Sequence, residues 1–148
     1  MATLLDLSPL ERAIAQLEES LDFVESELAE SDPRVHKQFR AAAIQAFEFT
    51  YGLAFRMLRR HIELTADNPA LVDEMTFADV IREAFRRDLV KSELEAWRDY
   101  RAKRGTTSHT YDEEMAQEVF DGIHAFLWDA RYLLEQLRER NQDPDESR

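Results

Sequence analysis

The hydrophobic residues of the chain recur with a spacing of three and four, which is typical of helices that pack in a bundle. The first such stripe follows Ser8, where Ser-Pro-Leu-Glu supplies an N-cap serine, a proline at the first helical position and a capping-box Glu11. Asp32-Pro33 predicts where this helix ends. The stripe consists of Leu10, Ile14, Leu17, Leu21, Val24 and Leu28.

The second predicted helix is longer and runs from about Arg34 to Leu64. Its apolar residues cover more than one face, so we expect it to contact several neighbours at once. Gly52 lies in its middle and weakens a helix by about 1 kcal/mol relative to alanine. A close helix crossing at this point, or neutral drift, would explain the glycine.

Each of the three remaining helices begins at a capping pair, a Ser or Thr followed three residues later by an acidic residue. The pairs are Thr76–Asp79, Ser92–Glu95 and Thr110–Glu113. Gly105 predicts the end of the fourth helix, and the fifth extends past Leu137. We therefore predict an all-α fold, with residues 1–140 forming a single domain and the polar residues 141–148 a disordered tail. The expected architecture is an antiparallel up-and-down four-helix bundle with an additional short helix.

Composition agrees with a helical protein and removes several function classes. The chain has only three glycines and four prolines in 148 residues, and 34% of its residues are charged. No apolar run approaches the roughly 18 residues of a membrane span, and no signal peptide is apparent, so we expect a cytoplasmic protein without a membrane partner. Because there is no cysteine, disulfides, thiolate metal sites and cysteine nucleophiles are excluded.

The charge of the chain is strongly negative but unevenly distributed. A net charge of −12 disfavours whole-surface attraction to nucleic acid. Residues 81–104, however, carry eight basic side chains against five acidic ones, a local charge of +3. We expect any bound anion to lie near this segment.

The sequence RGTTSHTYDEE, residues 104–114, is the strongest candidate for chemistry. It places Arg104 at the end of one predicted helix, and His109 and Tyr111 at the start of the next. Arginine keeps its charge and can hold a phosphate through two parallel hydrogen bonds. The positive end of the following helix favours the neutral imidazole that a general base needs. Arg104 and His109 therefore fit RNA cleavage through the ribose 2′-hydroxyl, a reaction that requires no metal or other cofactor.

The spacing of this arginine and histidine is weak evidence by itself. Arg56 and His61 have the same spacing, but they lie inside the second predicted helix, where five residues turn two side chains about 140° apart. A solvent-facing turn, in which Arg104 and His109 only contact helix ends, is the alternative interpretation. Three features distinguish the pair Arg104 and His109: it spans a predicted turn, Tyr111 is its neighbour, and it ends the basic segment.

The pattern Arg-x4-His-x-Tyr resembles the signature of HEPN domains encoded beside minimal nucleotidyltransferases. The flanking TSHTYDE is similar to the subgroup called nucleotidyltransferase substrate-binding proteins. AAIQAFEFTYGLAF (residues 42–55), VIREAFRRDLV (residues 80–90) and Trp97 are similar to the same subgroup, so the resemblance covers most of the chain.

This resemblance implies a homodimer with both clusters near the interface, where they form a composite site. It implies a toxin–antitoxin module in which Arg104 and His109 carry metal-independent endoribonuclease activity. A cognate minimal nucleotidyltransferase is then the partner, and Tyr111 the acceptor of transferred AMP. The alternative is a non-catalytic subunit that binds a substrate or nucleotide for the transferase.

Three further features qualify the candidate site. Members of the subgroup usually carry a polar residue after the motif arginine, whereas this chain has Gly105, which offers no side-chain hydrogen bond to orient His109 or the RNA. We expect Glu48 and Ser108 to support the cluster, although Glu48 could instead pair with an arginine such as Arg40 or Arg56. The pair formed by Asp121 and His124 has the spacing of metal ligands but is too small for a metal site, so no metal is expected.

Overall fold

A computed structural model of the chain describes residues 5–109 and 111–141, except for the side chain of Ser108. Within those ranges the chain contains no strand, and the predicted all-α class is confirmed. Two short 3₁₀ helices, Pro69–Glu74 and Thr107–His109, accompany the α-helices. The α-helices are α1 (Ser8–Val24), α2 (Glu27–Ser31), α3 (Pro33–Thr65), α4 (Phe77–Arg86), α5 (Leu94–Gly105), α6 (Glu113–Asp121) and α7 (Ile123–Arg140).

Helix α3 is the central element of the fold. It spans 33 residues, matches the predicted helix within one residue at each end, and contacts each of the other six α-helices. Phe47, Leu58 and Ile62 of α3 are fully buried in a single hydrophobic cluster that includes residues of the other helices. The prediction that this helix has several neighbours is therefore confirmed. The up-and-down order and the dimer stay predictions.

The first predicted helix is wrong in two details. It breaks at Glu25, because the Ser26 hydroxyl accepts a hydrogen bond from the backbone N–H of Ala29 at 3.3 Å and starts α2. Leu28, predicted to face the bundle, is consequently 60% exposed. The helix does begin at Ser8, but Leu7 occupies the N-cap position, and the Ser8 N–H donates to the Asp6 carboxylate.

The later helix starts show why local signals are ambiguous. Thr76 and Asp79 form the predicted capping box. Ser92 does not cap α5, however, because its hydroxyl donates to the buried carboxylate of Asp129 at 2.8 Å. The same carboxylate accepts a hydrogen bond from the Tyr100 hydroxyl, and burial together with this bond raises the pKa of Tyr100.

The long fifth helix of the prediction is two helices, divided at Gly122. Asp112 caps α6 and accepts from the N–H groups of Glu114 at 2.9 Å and Met115 at 3.3 Å. The predicted cap Thr110 lies outside the described residues, as do residues 142–148 of the predicted tail. Asn141 exchanges two hydrogen bonds with the backbone of Leu5. None of the described helices combines the length and the apolar character that crossing a membrane requires.

Candidate functional site

Arg104 lies in the last turn of α5, and its guanidinium lies above Gly52 of α3. A methyl group at position 52 would lie 3.6 Å from Nη2 of Arg104 and 3.5 Å from Nη1 of Arg56. The sequence predicted a close helix crossing at Gly52; the nearest atoms there are instead the side chains of Arg56, on the same helix, and Arg104, on α5. Because glycine has no side chain, the floor beneath the two guanidinium groups stays open.

Two connected depressions, which we call the arginine groove, share Gly52, Arg56 and Arg104. One has a volume of about 290 Å³ and is also lined by Glu48 and Phe49. The other has a volume of about 480 Å³ and continues between α3, α4 and α5. Its further lining residues are Tyr51, Phe55, Arg59, Phe77, Arg101 and Gly105.

The four arginines of this groove, Arg56, Arg59, Arg101 and Arg104, have no carboxylate partner among the residues that the structure describes. Seven other arginines in the same part of the chain do form ion pairs with Asp or Glu. The chain has 31 acidic residues against 19 basic ones. A shortage of carboxylates therefore does not explain why the four groove arginines lack ion pairs. Their concentration creates a local positive potential in an acidic protein and favours an anionic ligand.

Two of these arginines make other contacts. The Cζ atom of Arg101 lies 4.7 Å from the ring centroid of Phe77, and Nη2 of Arg59 donates to the carbonyl of Val72 at 3.3 Å. Both contacts orient a guanidinium without neutralising it. Each arginine therefore keeps its full charge for an incoming ligand.

Tyr51 is a buried residue of the groove that the sequence did not single out. Burial raises the pKa of its hydroxyl to about 12, although the nearby charges of Arg101 and Arg104 act in the opposite direction. The hydroxyl therefore stays protonated at neutral pH and can donate a hydrogen bond to an anion. Its position directly before Gly52, within the segment that resembles the family, is a signal that could have found it.

His109 and Tyr111 lie together on the turn between α5 and α6. The backbone N–H of His109 donates to Thr106 at 2.9 Å, and its carbonyl accepts from Asp112 at 3.2 Å. The rings of His109 and Tyr111 are 6.2 Å apart between centroids. Both side chains are exposed, and Tyr111 is 84% exposed.

Arg104 is not joined to these two residues within one chain. It contributes to the arginine groove, whereas His109 is not among the residues lining either depression. No hydrogen bond links the side chains of Arg104 and His109, both of which the structure describes. The turn thus brings His109 and Tyr111 together and leaves Arg104 beside Gly52.

The start of α6, which follows this turn, is held against α3 by Arg40. Its side chain is almost fully buried, with Nη2 at 2.6 Å from Glu113 and Nη1 donating to Gln117 at 2.9 Å. The alternative pairing of Glu48 with Arg40 is therefore wrong. Glu48 and Arg56, which both lie in the described part of the chain, form no ion pair, and Glu48 lies in the groove with Arg104.

The remaining candidates do not join the site. Asp121 accepts a hydrogen bond from Gln117 at 2.8 Å, and Nε2 of His124 lies 3.1 Å from the carboxylate of Glu25. These two side chains thus engage other residues. The side chain of Ser108, predicted to support the cluster, lies outside the described part of the structure.

Comparison with known proteins places the chain in a family. The sequence profile of the family described as "nucleotidyltransferase substrate binding protein like" matches residues 5–139. A Haemophilus influenzae protein named probable ribonuclease HepT is 44% identical over 102 residues, which are 69% of each chain. A solved Haemophilus influenzae structure, described as revealing the fold of a substrate binding domain of a nucleotidyltransferase, is similar with a TM-score of 0.84. That structure is 36% identical, and the match covers 90% of this chain and 99% of the other. The chain therefore belongs to the nucleotidyltransferase substrate-binding-like family, the HEPN domains that are paired with nucleotidyltransferases.

Proposed function

We propose that this protein is a metal-independent endoribonuclease of a HEPN/nucleotidyltransferase toxin–antitoxin module. The observation that carries this proposal is the Arg104 guanidinium in a positively charged groove, with no ion-pair partner among the described residues and an exposed His109 five positions later in the sequence. The relative named probable ribonuclease HepT supports the same activity. The ligand chemistry that fits the groove is a phosphodiester.

His109 acts as the general base and Arg104 as the group that stabilises charge. A neutral imidazole removes the proton from a ribose 2′-hydroxyl, and the 2′-oxygen attacks the adjacent phosphorus. The bond from phosphorus to the 5′-oxygen breaks, leaving a 2′,3′-cyclic phosphate, and the 5′-oxygen takes a proton from solvent. Arg104 stabilises the negative charge that develops on the phosphate oxygens.

A second copy of the chain completes the site. Within the described part of one chain no hydrogen bond joins the side chains of Arg104 and His109, and His109 does not line the arginine groove. This supports a composite site at a dimer interface. Phe49 is 60% exposed and forms part of the groove wall beside Arg104. A large exposed phenylalanine beside the candidate site supports self-association through this face.

A cognate minimal nucleotidyltransferase is the proposed partner, with Tyr111 as the acceptor of AMP. The exposure of Tyr111 leaves its hydroxyl open to another enzyme, and no base within this chain is needed. The tyrosine oxygen attacks the α-phosphorus of ATP, pyrophosphate leaves, and the proton passes to the transferase. The added nucleotide is bulky and negatively charged beside His109, so it would block RNA and silence the nuclease.

An RNA cleavage assay in excess EDTA tests the ribonuclease. We expect the wild-type protein to cut single-stranded RNA, and both Arg104→Ala and His109→Ala to abolish the cutting. Arg82→Ala is the matched control, because Arg82 is an exposed arginine of the same basic segment outside the groove. Undiminished cutting by either site variant would exclude the proposed roles.

The second candidate function is a non-catalytic subunit that presents a substrate or nucleotide to the transferase. The description of the solved relative as a substrate binding domain favours this alternative. It predicts a stable complex with the transferase and nucleotide binding, with no RNA cleavage by the wild-type protein. The EDTA assay therefore separates the two functions.

A further inference from the structure

We infer that Arg56 and Arg104 form a phosphate clamp above Gly52, which holds one phosphodiester group of an RNA strand. The inference rests on the proposed function in taking RNA as the ligand. It adds a binding residue on α3 to the pair of residues that the motif provides. It also gives Gly52 a role, as the open floor of the clamp.

The geometry around Gly52 is the first argument. Nη1 of Arg56 and Nη2 of Arg104 approach one point above the glycine, to within 3.5 and 3.6 Å. Both guanidinium groups carry a positive charge, so they repel each other unless an anion lies between them. A phosphate oxygen can accept hydrogen bonds from both guanidinium groups at once, and arginine is suited to this planar geometry.

The pairing pattern of the arginines is the second argument. Neither Arg56 nor Arg104 forms an ion pair or a side-chain hydrogen bond within the described residues, although most arginines there do. An arginine without a partner on an acidic protein keeps its charge available. Two such arginines, brought together from different helices, indicate a ligand rather than a solvated surface.

The charges along the groove indicate toward which end of it the bound RNA strand continues. Glu48, Gly52 and Arg56 lie at intervals of four residues and so follow one side of α3. The Glu48 carboxylate repels phosphate at its end of the groove. At the other end, Arg59 and Arg101 attract it, so we place the continuing strand toward these two residues.

In the sequence, Arg56 stood out only for its spacing to His61 and as a possible ion-pair partner of Glu48. The spacing is coincidental in the fold too, since His61 is buried while Arg56 is exposed. What the sequence did not show is the crossing of α3 and α5. The crossing makes Arg56 a neighbour of Arg104, 48 positions away in the chain.

Fluorescence anisotropy with a short, labelled single-stranded RNA tests the clamp. The background is His109→Ala, so that the RNA is not cut during the measurement. We expect Arg56→Gln to raise the Kd about tenfold, the loss typical of a charge-assisted hydrogen bond. The slope of log affinity against log salt should fall by about 0.7, as one phosphate contact is lost.

Arg82→Gln removes the same charge outside the groove and should change the Kd less than about twofold. Free AMP serves as a second ligand, to show whether the groove holds a nucleotide in place of an RNA strand. Circular dichroism confirms that the variants are folded.

The results separate this inference from the ribonuclease. An unchanged RNA affinity in Arg56→Gln, or an equal loss in Arg82→Gln, overturns the clamp even if the wild-type protein cuts RNA. A loss confined to AMP binding also overturns it, because the groove would then hold a nucleotide. If RNA binding depends on Arg56 while the wild-type protein cuts nothing, the clamp stands and the proposed ribonuclease fails.

Discussion

Replacing Gly52 with alanine should stabilise the protein and weaken its binding of RNA at the same time. Gly52 lies inside the 33-residue helix α3, and its φ is not positive. Glycine in a helix interior costs about 1 kcal/mol relative to alanine, because it loses more backbone freedom on folding. Alanine therefore removes this cost without requiring a backbone change.

The space above Gly52 decides whether that gain is realised. The new methyl would lie 3.5 Å from Arg56 and 3.6 Å from Arg104, which is ordinary van der Waals contact and not a clash. The free energy of unfolding should rise by about 1 kcal/mol. For a protein of this length the Tm should rise by about 2–4 °C.

The same methyl fills the floor of the clamp. A phosphate oxygen must then move outward from the two guanidinium groups, which lengthens at least one charge-assisted hydrogen bond. We expect the Kd for single-stranded RNA to rise about fivefold, which corresponds to about 1 kcal/mol.

Thermal unfolding and RNA anisotropy on one preparation measure both effects. Gly122→Ala is an informative contrast, because its methyl would lie 2.7 Å from Cδ and Cε of Lys103. That side chain must then move and its ion pair with Asp99 is disturbed, so we expect a smaller rise in Tm than for Gly52→Ala. A lower Tm in Gly52→Ala would refute the steric reasoning. An unchanged RNA affinity would refute the role of the open floor.

Three other variants test separate parts of the account. Phe49→Glu should convert a dimer to a monomer in analytical ultracentrifugation. Trp128 is also 60% exposed in the single chain, and Trp128→Glu should leave the dimer intact. A dimer in both variants would contradict an interface at Phe49. Gly105→Asn should raise the rate of RNA cleavage severalfold, because the position has open space for a side chain and gains a hydrogen-bonding group. An unchanged cleavage rate would show that this group is not needed. Burial, with smaller effects of nearby arginine charges, holds the pKa of His61 below its ordinary value, so the unfolded chain takes up this proton at a higher pH than the fold. The wild-type fold should therefore lose stability as the pH falls below about 6.5, and His61→Gln should lose less in urea unfolding compared at pH about 7.5 and about 5.5. If wild type and His61→Gln lost equal free energy of unfolding, His61 would not be the source of this pH dependence.

The long elements were predictable because their stabilisation is spread over many residues. Helix α3 repeats its apolar pattern over nine turns, so no single position could mislead the prediction. Short signals failed where one side chain had a better partner elsewhere. Ser92 bonds to Asp129 on α7 instead of capping its own helix, and Ser26 starts a new helix where the stripe continued to Leu28.

The sequence revealed the part of the candidate site that lies within one segment, and it missed the part that helix packing assembles. Arg104, His109 and Tyr111 were found because they are neighbours in the sequence. Arg56 and Tyr51 were not, because they approach Arg104 only through the packing of α3 against α5. A sequence pattern within one segment contains no information about that contact.

Cleavage of two matched oligonucleotides in EDTA tests the central claim most directly. One is ordinary RNA, and the other has the same sequence with every 2′-hydroxyl methylated. The account predicts that the wild-type protein cuts only the ordinary RNA and leaves 2′,3′-cyclic phosphate ends, and that His109→Ala cuts neither. Cutting of the methylated strand, or cutting of either strand by His109→Ala, would contradict the proposal that His109 activates the 2′-hydroxyl.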